Sequence, residues 1–352
     1  MLPFAIKKIE TNLEIFLFIC GSAALTIAGF ASVPGESTGW NTAIIIEALT
    51  TPLNITNIFG MPVGIVQVVL LAGFLIYFFN SVIEREISRL IDKVSLKAII
   101  PILIIILGLV SSVISAILAA ILLVEIICAL PIKKEVKVKI TVIACFSIGL
   151  GAALTPLGEP LSTIVVSKLA GAPYYADFWF LLKRLGFYII PMILLLGVVA
   201  FATFQRHHNP DTRLECTVEK GSINEVLLRA GRVYLFIMAL IFLGEGFKPL
   251  ILEYIIQIPA QAIYWVNIVS AVLDNATIAA AEISPALSSE QINAAILSLL
   301  ISGGILITGN IPNIIAAGKL GISAREWAKA GIPLGLLLMF MLFLILFFSA
   351  GF

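Results

Sequence analysis

Two carboxylates stand where carboxylates are expensive. Asp274, in Ser270-Ala271-Val272-Leu273-Asp274-Asn275-Ala276-Thr277, lies in a tract from Tyr254 to Leu287 whose only other charged side chain is Glu282. Glu159, in Thr155-Pro156-Leu157-Gly158-Glu159-Pro160, sits at the centre of the apolar run Ile140–Val166. An acid at bilayer depth costs about 2.5–3.5 kcal/mol even on a lenient insertion scale, so the fold must solvate both. The available solvators are hydroxyls and amides: Ser111 and Ser115 in Gly108–Ser115, Thr155, Ser270, Asn275, Thr277, and Thr308, Asn310 and Asn313 in Thr308-Gly309-Asn310-Ile311-Pro312-Asn313. Oxygen donors of this kind suit hard cations such as sodium, whereas soft metals call for Cys or His. No Lys or Arg falls within 111–116, 155–160, 270–277 or 308–313. Half-helix N-termini and backbone amides could hold an anion, but two acids without a basic partner favour a small cation. Desolvation penalises a buried charge, so such carboxylates can trade a proton for a cation. The expected chemistry is competition between proton and sodium at Asp274 and Glu159, with no organic cofactor and with the cation nearer Asp274. Structural roles compete for the same residues. Asp274 can cap the helix that follows, Glu159 can accept from freed backbone amides, and Asn310 and Asn313 can tie helices together.

The elements that must hold these residues are membrane helices. Of 352 residues 60% are hydrophobic and 12% charged, with mean hydropathy +1.11, which predicts an all-α polytopic protein in a lipid bilayer. A net charge of +1 gives no electrostatic basis for binding nucleic acid. The four cysteines lack metal or redox spacing and read as small apolar residues. Leu13–Val33 is long enough to span, and Pro34–Gly60 reads as a loop with a short interfacial helix. Met61–Val82, Leu185–Phe204, Val233–Leu252 and Ile332–Phe348 read as further spans. Adjacent His207 and His208 lie in the hydrophilic segment Gln205–Arg232 with no second ligand pair, which predicts a solvated loop.

Ala98–Leu130 breaks the pattern. Its 33 residues carry one charge, Glu125, and as one helix would extend about 50 Å, far beyond a core of about 30 Å. Basic clusters flank both ends (Arg85, Arg89, Lys93 and Lys97 before, Lys133, Lys134, Lys137 and Lys139 after). A single crossing would put them on opposite faces, against the positive-inside rule. A re-entrant hairpin turning near Ser111–Ala116 keeps both on one face, and 254–288 reads as a second hairpin. Ile140–Val166 and Ile292–Ala317 are spans broken at 155–160 and 308–313, where proline and glycine interrupt the helix.

The halves match. Val110–Ala116 lies over Val269–Asn275, and Gly151…Thr155-Pro156…Lys168-Leu169-Ala170-Gly171 over Gly304…Thr308-Gly309…Lys319-Leu320-Gly321. Three crossings separate equivalent points, so the second copy is expected upside down, an inverted-topology repeat with a hairpin and a broken helix in each copy. The predicted organisation is 1–60, an N-terminal span and interfacial segment; 61–204, the first repeat (hairpin 98–130, broken helix 140–168); 205–231, a cytoplasmic loop; and 232–352, the second repeat (hairpin 254–288, broken helix 291–318). With the N-terminus inside, 18 of the 22 Lys and Arg fall on the cytoplasmic side.

At the hairpin Ser270–Thr277 and the breaks Leu154–Pro160 and Thr308–Asn313 the chain resembles the ion transporter superfamily. That clan includes arsenite pumps, citrate–metal carriers, sodium/proton antiporters and sodium-coupled dicarboxylate carriers. Within it the chain is similar to a small prokaryotic family of cation transporters. The resemblance covers most of Ala98–Ala330 and implies a scaffold plus transport domain, a homodimer, and ions held at hairpin tips and broken helices. On that match Asp274, Asn275 and Thr277 fall on the hairpin motif, Thr155 and Glu159 on the first break, and Thr308, Asn310 and Asn313 on the second. The first hairpin departs from the pattern, reading Ser115-Ala116 in place of an acid–amide pair. The paired Ser-Asn-Thr signatures of the dicarboxylate branch are missing.

The expected function is therefore a non-enzymatic secondary transporter in a prokaryotic inner membrane, exchanging sodium or another small cation for protons. The alternative is sodium-coupled symport of a small anion or carboxylate. A passive channel is a further class, which saturable counterflow would exclude. No HExxH, GxSxG or DDxxD motif supports an intramembrane enzyme.

Overall fold

Long apolar runs punctuated by proline, glycine and short polar segments produce a predominantly helical protein. The computed structural model describes residues 13–30, 38–54, 56–58, 61–64, 66–67, 70–71, 73–74, 78, 96–130, 132–206 and 223–348. Helix α1 (Leu13–Ala28) is followed by the short α2 (Thr42–Thr50), whose first turn is capped by Asn41 Oδ1 accepting from Ile44 N at 2.9 Å. Next comes a ribbon, β1 (Thr56–Ile58) antiparallel to β2 (Met61–Val63), with Thr56 opposite Val63. The span expected from Met61 therefore begins as strand, where β-branched Thr56, Ile58 and Val63 favour extended backbone. Most of its remainder to Val82, and 207–222 of the expected 205–231 loop, lie outside the described residues, while the two ends of that expected loop, 205–206 and 223–231, are helical instead, as continuations of the adjoining apolar helices.

The described core consists of α3 (Leu96–Ile114), α4 (Ala116–Ala129), α5 (Lys134–Ala152), α6 (Pro160–Lys168), α7 (Phe180–Arg206) and α8 (Ile223–Glu253). It continues with α9 (Ala260–Val266, running on as a 3-10 turn to Ala271), α10 (Asn275–Glu282), α11 (Ser289–Ile305), α12 (Ile311–Leu320) and α13 (Ala324–Phe348). Among the described residues three helices are long and apolar enough to cross a membrane: Phe180–Gln205, Val226–Leu250 and Ala324–Phe348. They coincide with three of the expected spans. Phe187, Val198 and Phe348 point outward from them, as an apolar solvent requires. Cys20 and Cys145 are free thiols. Cys128, half-buried near the end of α4, is disulfide-bonded, contrary to the expectation that all four cysteines act only as packing.

Contacts fix the directions of these helices. Ser147 Oγ donates to Ile104 O and Ser111 Oγ to Ile148 O, both at 2.9 Å, so α3 and α5 run parallel. They approach so closely that a Cβ on Gly151 would lie 1.7 Å from Gly108 O; only glycine fits there. Helix α7 is antiparallel to α3, Ile193 facing Gly108 while Gly197 faces Ile105 and Pro101. In the second half Gln291 Nε2 donates to Ile258 O and Ser302 Oγ to Asn267 O, both at 2.8 Å, so α9 parallels α11. The start of α7 is tied to the start of α11, Arg184 donating to Asn293 Oδ1 and Ser289 O. The start of α5 is tied to that of α13 by Lys134–Glu326 at 2.8 Å. Helices α5 and α11 consequently enter the bundle from opposite ends.

Short helices are exchanged between the halves. Helix α4 packs on α12 and α10 on α6, while α8 lies against α1 and α10. This exchange brings four helix starts together.

Candidate functional site

Each of the four short helices restarts after a break in regular backbone. Pro160 at the first position of α6 and Pro312 at the second position of α12 give up no intrahelical hydrogen bond. The residues just before the four helices are Ser115, Glu159, Asp274 and Asn310. All four line one cavity of about 180 Å³. All are buried: Ser115 at 3%, Glu159 at 2%, Asp274 at 9% and Asn310 at 3% exposure.

The two carboxylates are held differently. Asp274 Oδ2 accepts from Thr277 N at 2.9 Å and Thr277 Oγ1 at 3.1 Å, a side-chain cap on α10. Glu159 makes no side-chain cap bond to α6. It lies within electrostatic reach of Asp274, its carboxylate meets the Asn310 side chain, and its Oε1 is buried without a hydrogen-bond partner among the described residues. Ser115 Oγ, Asn275 Nδ2 and Asn313 Oδ1 are likewise buried and unpartnered. Native interiors leave few such atoms, and two of these, Ser115 Oγ and Glu159 Oε1, belong to residues that line the cavity.

The remaining residues singled out from the sequence do not line the cavity; several of them brace its walls. Thr155 Oγ1 donates to Ser112 O, and Thr308 Oγ1 to Ala271 O at 3.1 Å. In the alignment of the two halves these are the same bond, made once in each. Ser111 and Ser270 donate to backbone carbonyls of α5 and α11. Asn313 Nδ2 donates to Gly303 O and Leu306 O, both at 2.9 Å, fastening α12 to the end of α11. Asn275 is buried beside Gly303, and Thr277 serves the Asp274 cap.

Sequence reasoning missed two lining residues. Glu14 of α1 and Arg232 of α8 stand at the same cavity, Arg232 Nε 3.5 Å from Glu14 Oε1. Each lies at the edge of an apolar run, where a charge reads as an interfacial anchor. Only the packing of α1 on α8 brings them to the cavity.

Charge at the site is nearly balanced. A helix N-terminus carries roughly +0.5 elementary charge, so four contribute roughly +2. Ionised Glu159 and Asp274 offset that. A proton and a monovalent cation then change the site by the same amount, and either can replace the other without altering its net charge.

A comparison with curated proteins returned no match. A family model described as a protein of unknown function (DUF1646) matches residues 1–349, and the chain belongs to that family.

Proposed function

We propose that the protein is a secondary transporter exchanging sodium, or another small cation, for protons by alternating access. The observation that carries this reading is Glu159 Oε1, a buried carboxylate oxygen with no hydrogen-bond partner among the described residues, on a residue that lines one cavity with Asp274. A buried ionised oxygen needs a proton or a cation. Asp274 spends one oxygen on the α10 cap, which shifts the weight of the exchange from Asp274 towards Glu159. Around them Ser115 Oγ and the Asn310 side chain are the oxygen donors nearest to hand for a hard cation.

The directions of the helices support an inverted repeat with two re-entrant hairpins. Helix α5 parallels α3 although α4 intervenes, so the chain returns along α4, and α9, α10 and α11 repeat the pattern. Opposite entry of α5 and α11, and the doubled Thr155 and Thr308 bonds, support the inversion. On this reading the N-terminus is cytoplasmic, and the cavity, lined by Glu14 and Arg232 from the cytoplasmic ends of α1 and α8, faces inward in a prokaryotic cell membrane. This reading of the helix directions supports the resemblance to the ion transporter superfamily drawn from the sequence.

A second reading, sodium-coupled symport of a small anion, draws on Arg232 and the four helix N-termini. Flux into proteoliposomes separates the two. Antiport predicts that a sodium gradient drives a pH change without any organic or inorganic anion added; symport predicts that it drives labelled anion uptake and leaves pH alone. A sodium pulse that moves no protons under any pH gradient sinks the antiport reading.

A further inference from the structure

Glu159 and Asp274 precede separate short helices, α6 of nine residues and α10 of eight, which pack against each other. Both helices start at the cavity. They are tied together at their far ends, about 12 Å away along α10. There Lys168 Nζ, on the last residue of α6, donates to Ala280 O at 2.6 Å and Ile283 O at 3.3 Å. Ala280 O is among the last carbonyls of α10, which lack a helical donor, and a cation there also meets the negative end of the helix. Ala280 and Ile283 are fully buried, so the amine serves carbonyls that solvent does not reach. Gly244 of α8 leaves the space for it. A Cβ on Gly244 would lie 2.6 Å from Lys168 Nζ and 2.8 Å from Ala280 O.

The neutral pair of helix starts is built differently. Helices α4 and α12 also pack together and bring Ser115 and Asn310 to the cavity. Lys319, which the alignment of the halves places over Lys168, is exposed at the end of α12. The end of α4 is tied to α5 instead, Lys137 Nζ donating to Cys128 O at 3.3 Å. Among the described residues, a lysine joining two cavity helices at their far ends is found on the acid-bearing pair.

We infer that Lys168 is a positioning residue that sets the gap between Glu159 and Asp274, and so decides which cation the pair accepts. The inference rests on the proposed cation exchange at these two acids. Ionised carboxylates repel one another, and a cation between them draws them together. Discrimination between a small and a large cation then depends on how little the gap can adjust. With their far ends joined, α6 and α10 keep one register, and the gap stays suited to an ion of sodium's size. With the latch released, α10 shifts against α6 and the looser gap admits potassium.

The test measures thermal stabilisation of the purified full chain by sodium, potassium and choline chlorides at one ionic strength. The parent is expected to respond to sodium at lower concentrations than to potassium, and not to choline. Lys168→Met keeps the length of the side chain and removes its donors. It is expected to weaken the sodium response by roughly tenfold, as loss of an outer-shell partner does, and to bring the sodium and potassium responses together. Gly244→Ala displaces the amine without replacing Lys168, and carries the test where Lys168→Met does not fold. It shifts the sodium-to-potassium ratio in the same direction, and the double variant adds little to either single change. Lys319→Met keeps the parent's ratio. A cap with no bearing on the site would lower the melting temperature in choline and leave the ratio alone; that result in Lys168→Met and Gly244→Ala overturns the inference while the reading of the cavity stands. An equal shift in Lys319→Met also overturns it. A parent that sodium stabilises no more than choline overturns the reading of the cavity, and the role of Lys168 with it.

Discussion

Ser115 and Asp274 hold corresponding places in the two halves, each immediately before a helix that starts at the cavity. Their backbones and side chains differ. Ser115 has φ 80 and ψ 151 and no side-chain cap, a conformation that glycine adopts freely and serine at a cost of about 1–3 kcal/mol. It is held there by Ala116 N donating to Gly158 O at 2.7 Å, which pins the first turn to the first break. Asp274 has φ −58 and ψ 134 and caps its own helix. The strained turn carries a free hydroxyl; the relaxed one carries an acid that its helix already stabilises. The breaks reverse the assignment, Glu159 in the first and the neutral Asn310 in the second. Each half therefore contributes one acid, from different elements, and the acid without a cap, Glu159, is the one to which the proposed exchange is assigned.

That contrast can be broken most sharply at the acids. Glu159→Gln is expected to abolish sodium-driven proton movement. Asp274→Asn, which keeps an N-cap of equal quality, should slow it while leaving thermal stability within about 1 kcal/mol of the parent. Equal loss in both variants would mean that the cap does not distinguish them.

The next largest effect separates the matched glycines Gly151 and Gly304. A Cβ on Gly151 meets backbone, Gly108 O at 1.7 Å, whereas one on Gly304 meets the Phe146 ring at 2.4 Å. Gly151→Ala should destabilise by about 3 kcal/mol or prevent folding, and Gly304→Ala less, because a side chain can yield. Denaturation in detergent ranks them, and the reverse order would contradict the α3–α5 contact. Smaller still, Ser115→Gly should raise stability by about 1 kcal/mol through relief of strain. If sodium-dependent stabilisation falls at the same time, the Ser115 hydroxyl is a ligand as well as a turn.

The smallest effect lies far from the cavity. A hydrogen bond from Lys183, Nζ to Oδ2 at 2.7 Å, holds the exposed Asp177 carboxyl below its ordinary range. A lowered folded value stabilises above the unfolded one and is lost as pH falls through it. Asp177→Asn should therefore lower the melting temperature slightly at neutral pH and not at all in strong acid.

The breaks were legible because proline, glycine and an isolated acid are chemically conspicuous in apolar sequence. Pro160, Pro312 and Asp274 announce helix starts, and the structure has helices starting at Pro160, Ile311 and Asn275. The division of labour among the polar residues was not legible. Nothing local distinguishes Thr155, which braces a wall, from Ser115, which lines the cavity; the difference is a carbonyl contributed by another helix. Glu14 and Arg232 escaped notice because more than two hundred residues separate them. The β1–β2 ribbon escaped because Met61–Val82 is as apolar as a span, and strand pairing there depends on the partner segment.

The most direct measurement is proton release on sodium binding by the purified protein in weak buffer, without a membrane or a gradient. If proton and cation compete at Glu159, adding sodium releases about one proton per chain in the parent and none in Glu159→Gln. Sodium that stabilises the parent without releasing protons, or an undiminished release from Glu159→Gln, would contradict the account.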